Sequence, residues 1–517
     1  MRATSIGHAG IVVETQQATI VCDPWFVPAF FASWFVFPRN DQLSPELMAK
    51  IEHPDYLYIS HQHGDHLDEA WLANHIDKST PVLLPAFATR ELERRLSLLG
   101  FTNFIRTTNG EEMELRDGLK VAIHVESAIA DGPGGDSALV ISDGTCRLVN
   151  QNDCRTSDLH ALLAHGPVDM HWLQFSGAIW YPMVYEEPRE ELMRLARAKV
   201  ESQFARALKY VEVIGARAVV PSAGPPCFLD SDLFGNNMIT GDELSIFPDQ
   251  TEFIKRMNVL GNGAAVMNIP GTAIEISPTE VRVTHPVAAD KVREPFENKA
   301  AYLQQYQADW AQWLTDYKAT WPTERTDLIA TLQAWWGPLL AMAPMLRAAV
   351  GGGCVMNTDG LSIYIDFAGG VVVPFDGQQH KYRFTVARPL LEAVVASKAV
   401  DWSNSLFLSC RFSAWREGEY NEYLYNFFKS LSVERMRRAE QEVVRKNAPD
   451  TDVSDEIEIG DYVMQRKCPH RQADLSEFGV IEGDYVVCTL HGWKFGVRDG
   501  KCKNAENKPL RIRKRTS

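Results

Sequence analysis

A chain of 517 residues, 45% hydrophobic and 23% charged, is too long for one ordinary core and too apolar to be disordered, so several folded domains are expected. The formal net charge of −15 argues against a general nucleic-acid binder, and no run of about 18 uncharged apolar residues is present to span a bilayer. The nine cysteines are odd in number and scattered, which excludes a disulfide framework; with no apolar leader after Met1, a cytoplasmic enzyme is the expectation.

Residues 11–13, 19–22, 56–60, 119–125, 138–141, 147–149 and 218–220 read as short apolar strands, and 187–208 as a helix. Strands and helices mixed in this way over residues 1–292 imply a layered α/β or α+β domain. Between 293 and 445 the texture changes. Tryptophan-rich helical stretches at 302–321 and 327–349 stop at Gly351-Gly352-Gly353, strands follow at 361–367 and 371–375, and 420–444 reads as one long helix. This middle domain carries no chemical motif and reads as a scaffold or substrate-side cover. The polar, acidic segment 446–455 reads as a linker into a small strand-rich domain that fills 446–517.

Cys468-Pro469-His470 is followed, after 17 residues, by Cys488-Thr489-Leu490-His491-Gly492-Trp493. Two such pairs let two loops clamp a [2Fe–2S] cluster, with the thiolates of Cys468 and Cys488 on one iron and the imidazoles of His470 and His491 on the other. Zinc is the alternative for two cysteines and two histidines, but the spacing is not that of a finger. The Gly492-Trp493-x-Phe495 tail and the later Asp499-Gly500-x-Cys502 resemble the Rieske family, of the oxygenase and ferredoxin type. Gln472 and Thr489 stand where the respiratory type would need further cysteines, and Cys502 reads as structural.

His61-Gln62-His63-Gly64-Asp65-His66 follows directly on the strand at 56–60. Three imidazoles and a carboxylate within six residues match a mono- or dinuclear metal site better than a polar surface loop. The run resembles the His-x-His-x-Asp-His signature of the metallo-β-lactamase fold, as Ile6-Gly7-His8-Ala9 and Cys22-Asp23-Pro24-Trp25 resemble its first strands. That resemblance implies an α+β chain opening with an αββα sandwich. It makes His61, His63, Asp65 and His66 metal ligands, with Asp65 also the candidate catalytic residue, and gives Asp23 the task of orienting a histidine. Asp153 is the next expected ligand. The preceding strand offers His124 or Glu126, which point to opposite faces; Glu126, at the strand's end, is preferred. Where the last histidine is usually found, the chain has Ser222-Ala223-Gly224, and His285 is a weak substitute. A site poor in histidine and rich in carboxylate leans towards iron.

A Rieske cluster moves one electron at a time and needs a redox partner site. Between His285 and His470 the only histidine is His380, so a two-histidine iron centre cannot be built there, and the destination is the cluster at 61–66. This combination resembles the CMP-N-acetylneuraminate hydroxylase family. The likeness includes Asn152-Asp153-Cys154, Ser176-Gly177-x₃-Tyr181-Pro182-Met183, and Ala399-Val400-Asp401-Trp402 through Tyr423-x-Tyr425-x-Phe427-Phe428. It spans residues 1–435, although the members in question carry the Rieske module at the N-terminus rather than the C-terminus. The resemblance implies a Rieske-coupled non-haem iron monooxygenase with one or two irons. It would use O₂, and electrons from NAD(P)H through a separate reductase, ferredoxin or cytochrome, to hydroxylate a small substrate such as an N-acylated sugar or sugar nucleotide. A zinc hydrolase with a redox-sensing cluster is the alternative, and an electron-transfer protein with a degenerate metal site is a third reading. No flavin or nicotinamide fingerprint is present, so the reductase is external. For a sugar nucleotide, Arg155, Arg189 and Arg194 are candidate anion contacts or ordinary solvated arginines. The aromatics between Trp25 and Phe37 line an apolar pocket or pack as core. Residues 493–517 hold nine Lys/Arg against two Asp/Glu, a basic surface for an acidic donor or a charged edge strand. The sequence leaves a homo-oligomer open.

Overall fold

A computed structural model describes residues 1–126, 134–261, 263–447, 455–470, 472–490, 492–504 and 508–515. Its first strands are β1 (Arg2–Gly7), β2 (Gly10–Glu14), β3 (Thr19–Cys22), β4 (Tyr56–Tyr58), β5 (Val82–Leu84), β6 (Phe104–Arg106) and β7 (Met113–Arg116). There follow β8 (Leu119–Glu126), β9 (Asp136–Ser142), β10 (Arg147–Asn152), β11 (Met170–Gln174), β12 (Ala218–Ser222), β13 (Ala273–Ile276) and β14 (Val281–Thr284). They form two sheets, in the orders β14-β13-β1-β2-β3-β4-β5-β6 and β12-β11-β10-β9-β8-β7.

Strand alternation produces the layers. Ile11 and Val13 of β2, and Tyr56 and Tyr58 of β4, enter the core between the sheets, while Val12 and Leu57 face outward. Leu139, Ile141, Leu148, Met170 and Trp172 meet them from the second sheet. Ile51, Trp71, Leu72, Leu92 and Leu96, on three short helices, cover the outer face of the first sheet. The helix Arg189–Ile214 covers the second sheet. It outruns the expected end at 208 because nothing stops it before Gly215, whose left-handed backbone (φ 63°) donates its N–H to the Val211 carbonyl. The result is an αββα sandwich. β3 to β6 pair in parallel, as do β10 to β12, so their carboxyl ends gather the following loops at one edge, where open α/β sheets bind ligands.

The helix Lys299–Ala319 returns to the sandwich, packing Leu303, Tyr306 and Leu314 on Phe35, Phe37, Cys227 and Leu229. Beyond it, a five-stranded sheet with Cys354–Thr358 at its centre packs against Trp336, Trp402, Phe407, Phe427 and Phe428. The stretch 420–444 is two helices, Glu422–Phe428 and Val433–Asn447, rather than one. Backbone groups at the break are used elsewhere: Trp402 N–H donates to the Phe428 carbonyl and Leu431 N–H to that of Val400. The Ser432 hydroxyl then accepts from Arg435 N–H at 3.3 Å and starts the second helix. Arg435 is buried and reaches Glu91 at 2.7 Å and Asp401 at 2.8 Å. Glu91 opens the sandwich helix whose Arg95 bonds the Gln62 carbonyl at 2.9 Å, so the middle unit is fastened beside the 61–66 turn.

The last unit has two three-stranded sheets, Glu456–Ile459/Tyr462–Gln465/Ile512–Lys514 and Gly479–Glu482/Tyr485–Cys488/Trp493–Gly496. It rests on the long sandwich helix. A Cβ added at Gly492 (φ +72°) would stand 2.9 Å from Ser202 Oγ, and Phe478 meets Tyr210 edge-on. Lys508 pairs with Glu422 of the middle unit. Within the basic C-terminal stretch, Lys494, Arg513 and Arg515 pair with Glu482, Glu456 and Glu458 across their three-stranded sheets, as charged sheet edges do. Most of the linker expected at 446–455 lies outside the described residues. No helix among the described residues is long and apolar enough to cross a membrane.

Candidate functional site

The turn after β4 holds its side chains from behind. The Asp23 carboxylate accepts from Ser60 N–H at 2.7 Å and Ser60 Oγ at 2.6 Å, and lies 2.8 Å from His66 Nδ1. Ser60 Oγ is also 2.9 Å from His61 Nδ1. Asp23 therefore fixes the His66 ring directly and that of His61 through Ser60, which is the orienting role expected of it. The Nε2 atoms of both rings are left for the cleft: that of His61 lies 2.8 Å from His63 Nδ1, and that of His66 lies 3.5 Å from Asp153 Oδ1.

Among the described residues, three sets of potential ligand atoms each lie within 4.8 Å of one another: His8, Asp65 and His66; His61, His63 and Asp136; and His61, His66 and Asp153. The third set takes one histidine from each of the others, so Asp153 stands between two adjacent positions. His66 Nε2 and Asp153 Oδ1 are both buried without a hydrogen-bond partner among the described residues, which a native structure rarely leaves unexplained. A cation between them supplies the explanation, and the donor set of imidazoles and carboxylates fits a divalent transition metal. Burial, reinforced by His66, His63 and His8, holds His61 well below the ordinary imidazole range, so it is neutral and able to ligate. Burial alone would lower His66 too, but Asp153, Asp65 and Asp23 together hold it well above that range. A proton there balances the carboxylates, and an arriving metal ion would displace it. His8 (φ 51°), Asp23 (φ 43°) and Asn152 (φ 40°) all adopt left-handed backbone beside these groups. Each such residue costs roughly 1–3 kcal/mol and persists where its surroundings over-determine it.

His61, His63, Asp65, His66 and Asp153 are thus brought together. Glu126 belongs to none of the three sets, whereas its register partner across β8 and β9, Asp136, belongs to one. His124 points elsewhere, its Nε2 2.8 Å from that of His165. No histidine after β12 or at 285 joins these sets; His8, on the β1–β2 turn, does, and the end of β12 holds it through Ala223 N–H donating to the His8 carbonyl at 2.9 Å. His285 instead meets Thr272 Oγ1 at 3.0 Å. The only sequence signal for His8 was the Gly7-His8-Ala9 turn, which reads as a fold marker; Asp136 had none beyond opening a strand. Arg189 bonds the Asp242 carbonyl and Arg194 pairs with Glu191, both on the exposed start of their helix. Of the aromatic run, Trp25, Trp34, Phe35 and Phe37 are core, and Phe30 reaches Gly64 of the metal turn.

Behind Asp153, His171 Nε2 donates to Gln151 Oε1 and Gln151 Nε2 to the Cys154 carbonyl, each at 2.9 Å, which braces the turn. Burial alone pushes His171 down from 6.5 to about 3. The unfolded chain therefore binds the proton first, and stability that is complete above pH 6.5 is lost as pH falls towards 3. At pH 5 the expected loss is about 2 kcal/mol, read as a fall in urea midpoint that a His171→Asn variant does not show.

In the last unit Cys468 and Cys488 are buried. Their loops are closed by Gln472 N–H donating to the Cys468 carbonyl at 2.9 Å and Gly492 N–H to that of Cys488 at 2.8 Å. The His470 ring stacks on Trp493 with centroids 3.8 Å apart and planes 8° apart. Cys502 is half-buried. His491 lies outside the described residues.

The Rieske [2Fe-2S] domain family matches residues 433–512, and the Rv3818-like, SCP2-like domain family matches 328–445. A Rieske 2Fe-2S iron-sulfur protein of Mycolicibacterium smegmatis is 39% identical over 533 aligned residues, covering 99% of this chain and 100% of the relative. Cytidine monophosphate-N-acetylneuraminic acid hydroxylase of Danio rerio is 28% identical over 193 residues, 35% of this chain and 30% of the relative. Among solved structures, CmlA, a diiron beta-hydroxylase of Streptomyces venezuelae, aligns with 51% of this chain and 52% of its own at 17% identity and a TM-score of 0.34. The chain belongs to the Rv3818-like family of Rieske 2Fe-2S iron-sulfur proteins, with an αββα sandwich ahead of its cluster domain.

Proposed function

We propose that this protein is a Rieske-coupled non-haem iron monooxygenase. One observation carries the reading: four imidazoles and three carboxylates converge in one cleft, in two adjacent sets joined by Asp153, on the same chain as a Rieske domain. In this reading His61, His63 and Asp136 hold one ion, His8, Asp65 and His66 the other, and Asp153 lies between. The cluster belongs to Cys468, His470, Cys488 and His491. Three carboxylates among seven ligands favour iron over zinc. Bound here, the irons supply O₂ activation and the cluster supplies electrons one at a time, drawn from NAD(P)H through an external reductase, ferredoxin or cytochrome.

The chain's own residues prepare the chemistry. Asp23 and Ser60 fix the rings of His66 and His61, burial keeps His61 neutral, and the Arg435 contacts hold the middle unit beside the turn. The substrate in this reading is a small molecule, with N-acylated sugars and sugar nucleotides the first class to screen.

The test is the content of iron, zinc and acid-labile sulfide per chain after anaerobic purification, in the wild type and in a Cys468→Ala variant. Iron beyond the cluster's two atoms, kept in the variant while sulfide is lost, supports the oxygenase. Zinc in the cleft would sink it and leave a zinc hydrolase as the working description.

A further inference from the structure

Beside the metal ligands the cleft has a second wall with no role so far. β11 and β12 run parallel with Gln174 opposite Ser222. Met170, Trp172, Ala218 and Val220, on the same faces of these strands, lie in the core between the sheets. By alternation Gln174 and Ser222 face that interlayer space at its carboxyl-end edge. The edge is the metal cleft, since β10 ends beside β11 one residue before Asp153, and Ala223 is bonded to His8. Just beyond, Ser176 Oγ lies 2.5 Å from where a Cβ on Gly224 would stand, and the Gln203 carboxamide lies on Gly177.

Gln174, Ser176, Gln203 and Ser222 are 5%, 0%, 1% and 3% exposed. Both carboxamide atoms of each glutamine, and both hydroxyls, have no hydrogen-bond partner among the described residues. Leaving such atoms unmet is costly, which marks a place where something else completes them. Each of the four side chains offers a donor and an acceptor, and none is charged. None of them supplies a positive charge to pair with an anion.

We propose that this wall is a binding subsite for an uncharged group that both donates and accepts hydrogen bonds, as an amide or a hydroxyl does. The inference rests on the monooxygenase reading only in making that group part of the substrate. Calorimetric titration of the full-length protein, as purified, with N-acetylglucosamine, glucose and acetate tests it. The neutral sugars bind and acetate does not. A Gln174→Leu variant, and separately the milder Ser222→Ala, weaken binding about tenfold, with thermal melting confirming that each folds. Stronger binding of N-acetylglucosamine assigns the amide, and equal binding of glucose assigns the hydroxyls. No heat with either sugar, acetate binding as well as they do, or folded variants that bind like the wild type would overturn it, and the orphaned atoms would then be met by water alone. Failure of the iron reading shows in metal content, not in these titrations.

Discussion

Replacing Asp153 with alanine is expected to empty both positions of the cleft while the Rieske cluster remains. Its carboxylate lies with His61 of one ligand set and His66 of the other, 3.5 Å from His66 Nε2, so in the proposed reading the two ions share it. Removing even a supporting residue of a metal site costs 10–100-fold in affinity, so loss of a shared ligand should cost at least about a hundredfold. Metal per chain by mass spectrometry, with the visible absorbance of the cluster as internal control, checks this. His8→Ala is the contrast: it belongs to one set alone and should release the metal of one position. If the Asp153 variant keeps its full complement of cleft metal, the carboxylate is not shared.

What could be read in advance follows from how local each signal is. The run from His61 to His66 is contiguous and sits at the end of one strand, so its chemistry shows in six letters. The same holds for the cysteine–histidine pairs. His8 and Asp136 join the site only through tertiary geometry. His8 depends on a carbonyl contact with Ala223, more than two hundred residues away in sequence. Asp136 and Glu126 are opposite members of one antiparallel pair at the same sheet edge, so a pattern that locates the edge cannot choose between them. The break at 429–432 was equally invisible, since the periodicity of 420–444 is helical throughout and the competing partners, Val400 and Trp402, lie on a separate loop. Nor does the sequence show that Gly492 is small because Ser202 stands against it.

Replacing Arg435 with alanine is expected to destabilise the protein by about 3–5 kcal/mol, the cost of breaking a buried ion pair from one side. The side chains of Arg435, Glu91 and Asp401 are only 5%, 9% and 15% exposed. Burial alone would lower the guanidinium's pKa, yet Asp401 and Glu91 hold it above its ordinary value. Without it two buried carboxylates lose the cation they share. A Glu91→Gln background should therefore reduce the damage, and a double-mutant cycle on urea midpoints measures by how much. The functional consequence is separate. Glu91 begins the helix that holds the Gln62 carbonyl, and Asp401 acts on His63, so this arginine keeps the middle unit in place beside the metal turn. In conditions where the variant is still folded, a chelator should strip the cleft metal faster than from the wild type, while the cluster absorbance decays no faster. Equal stripping rates would mean that the middle unit does not cover the site, and the role of Arg435 would be stability alone.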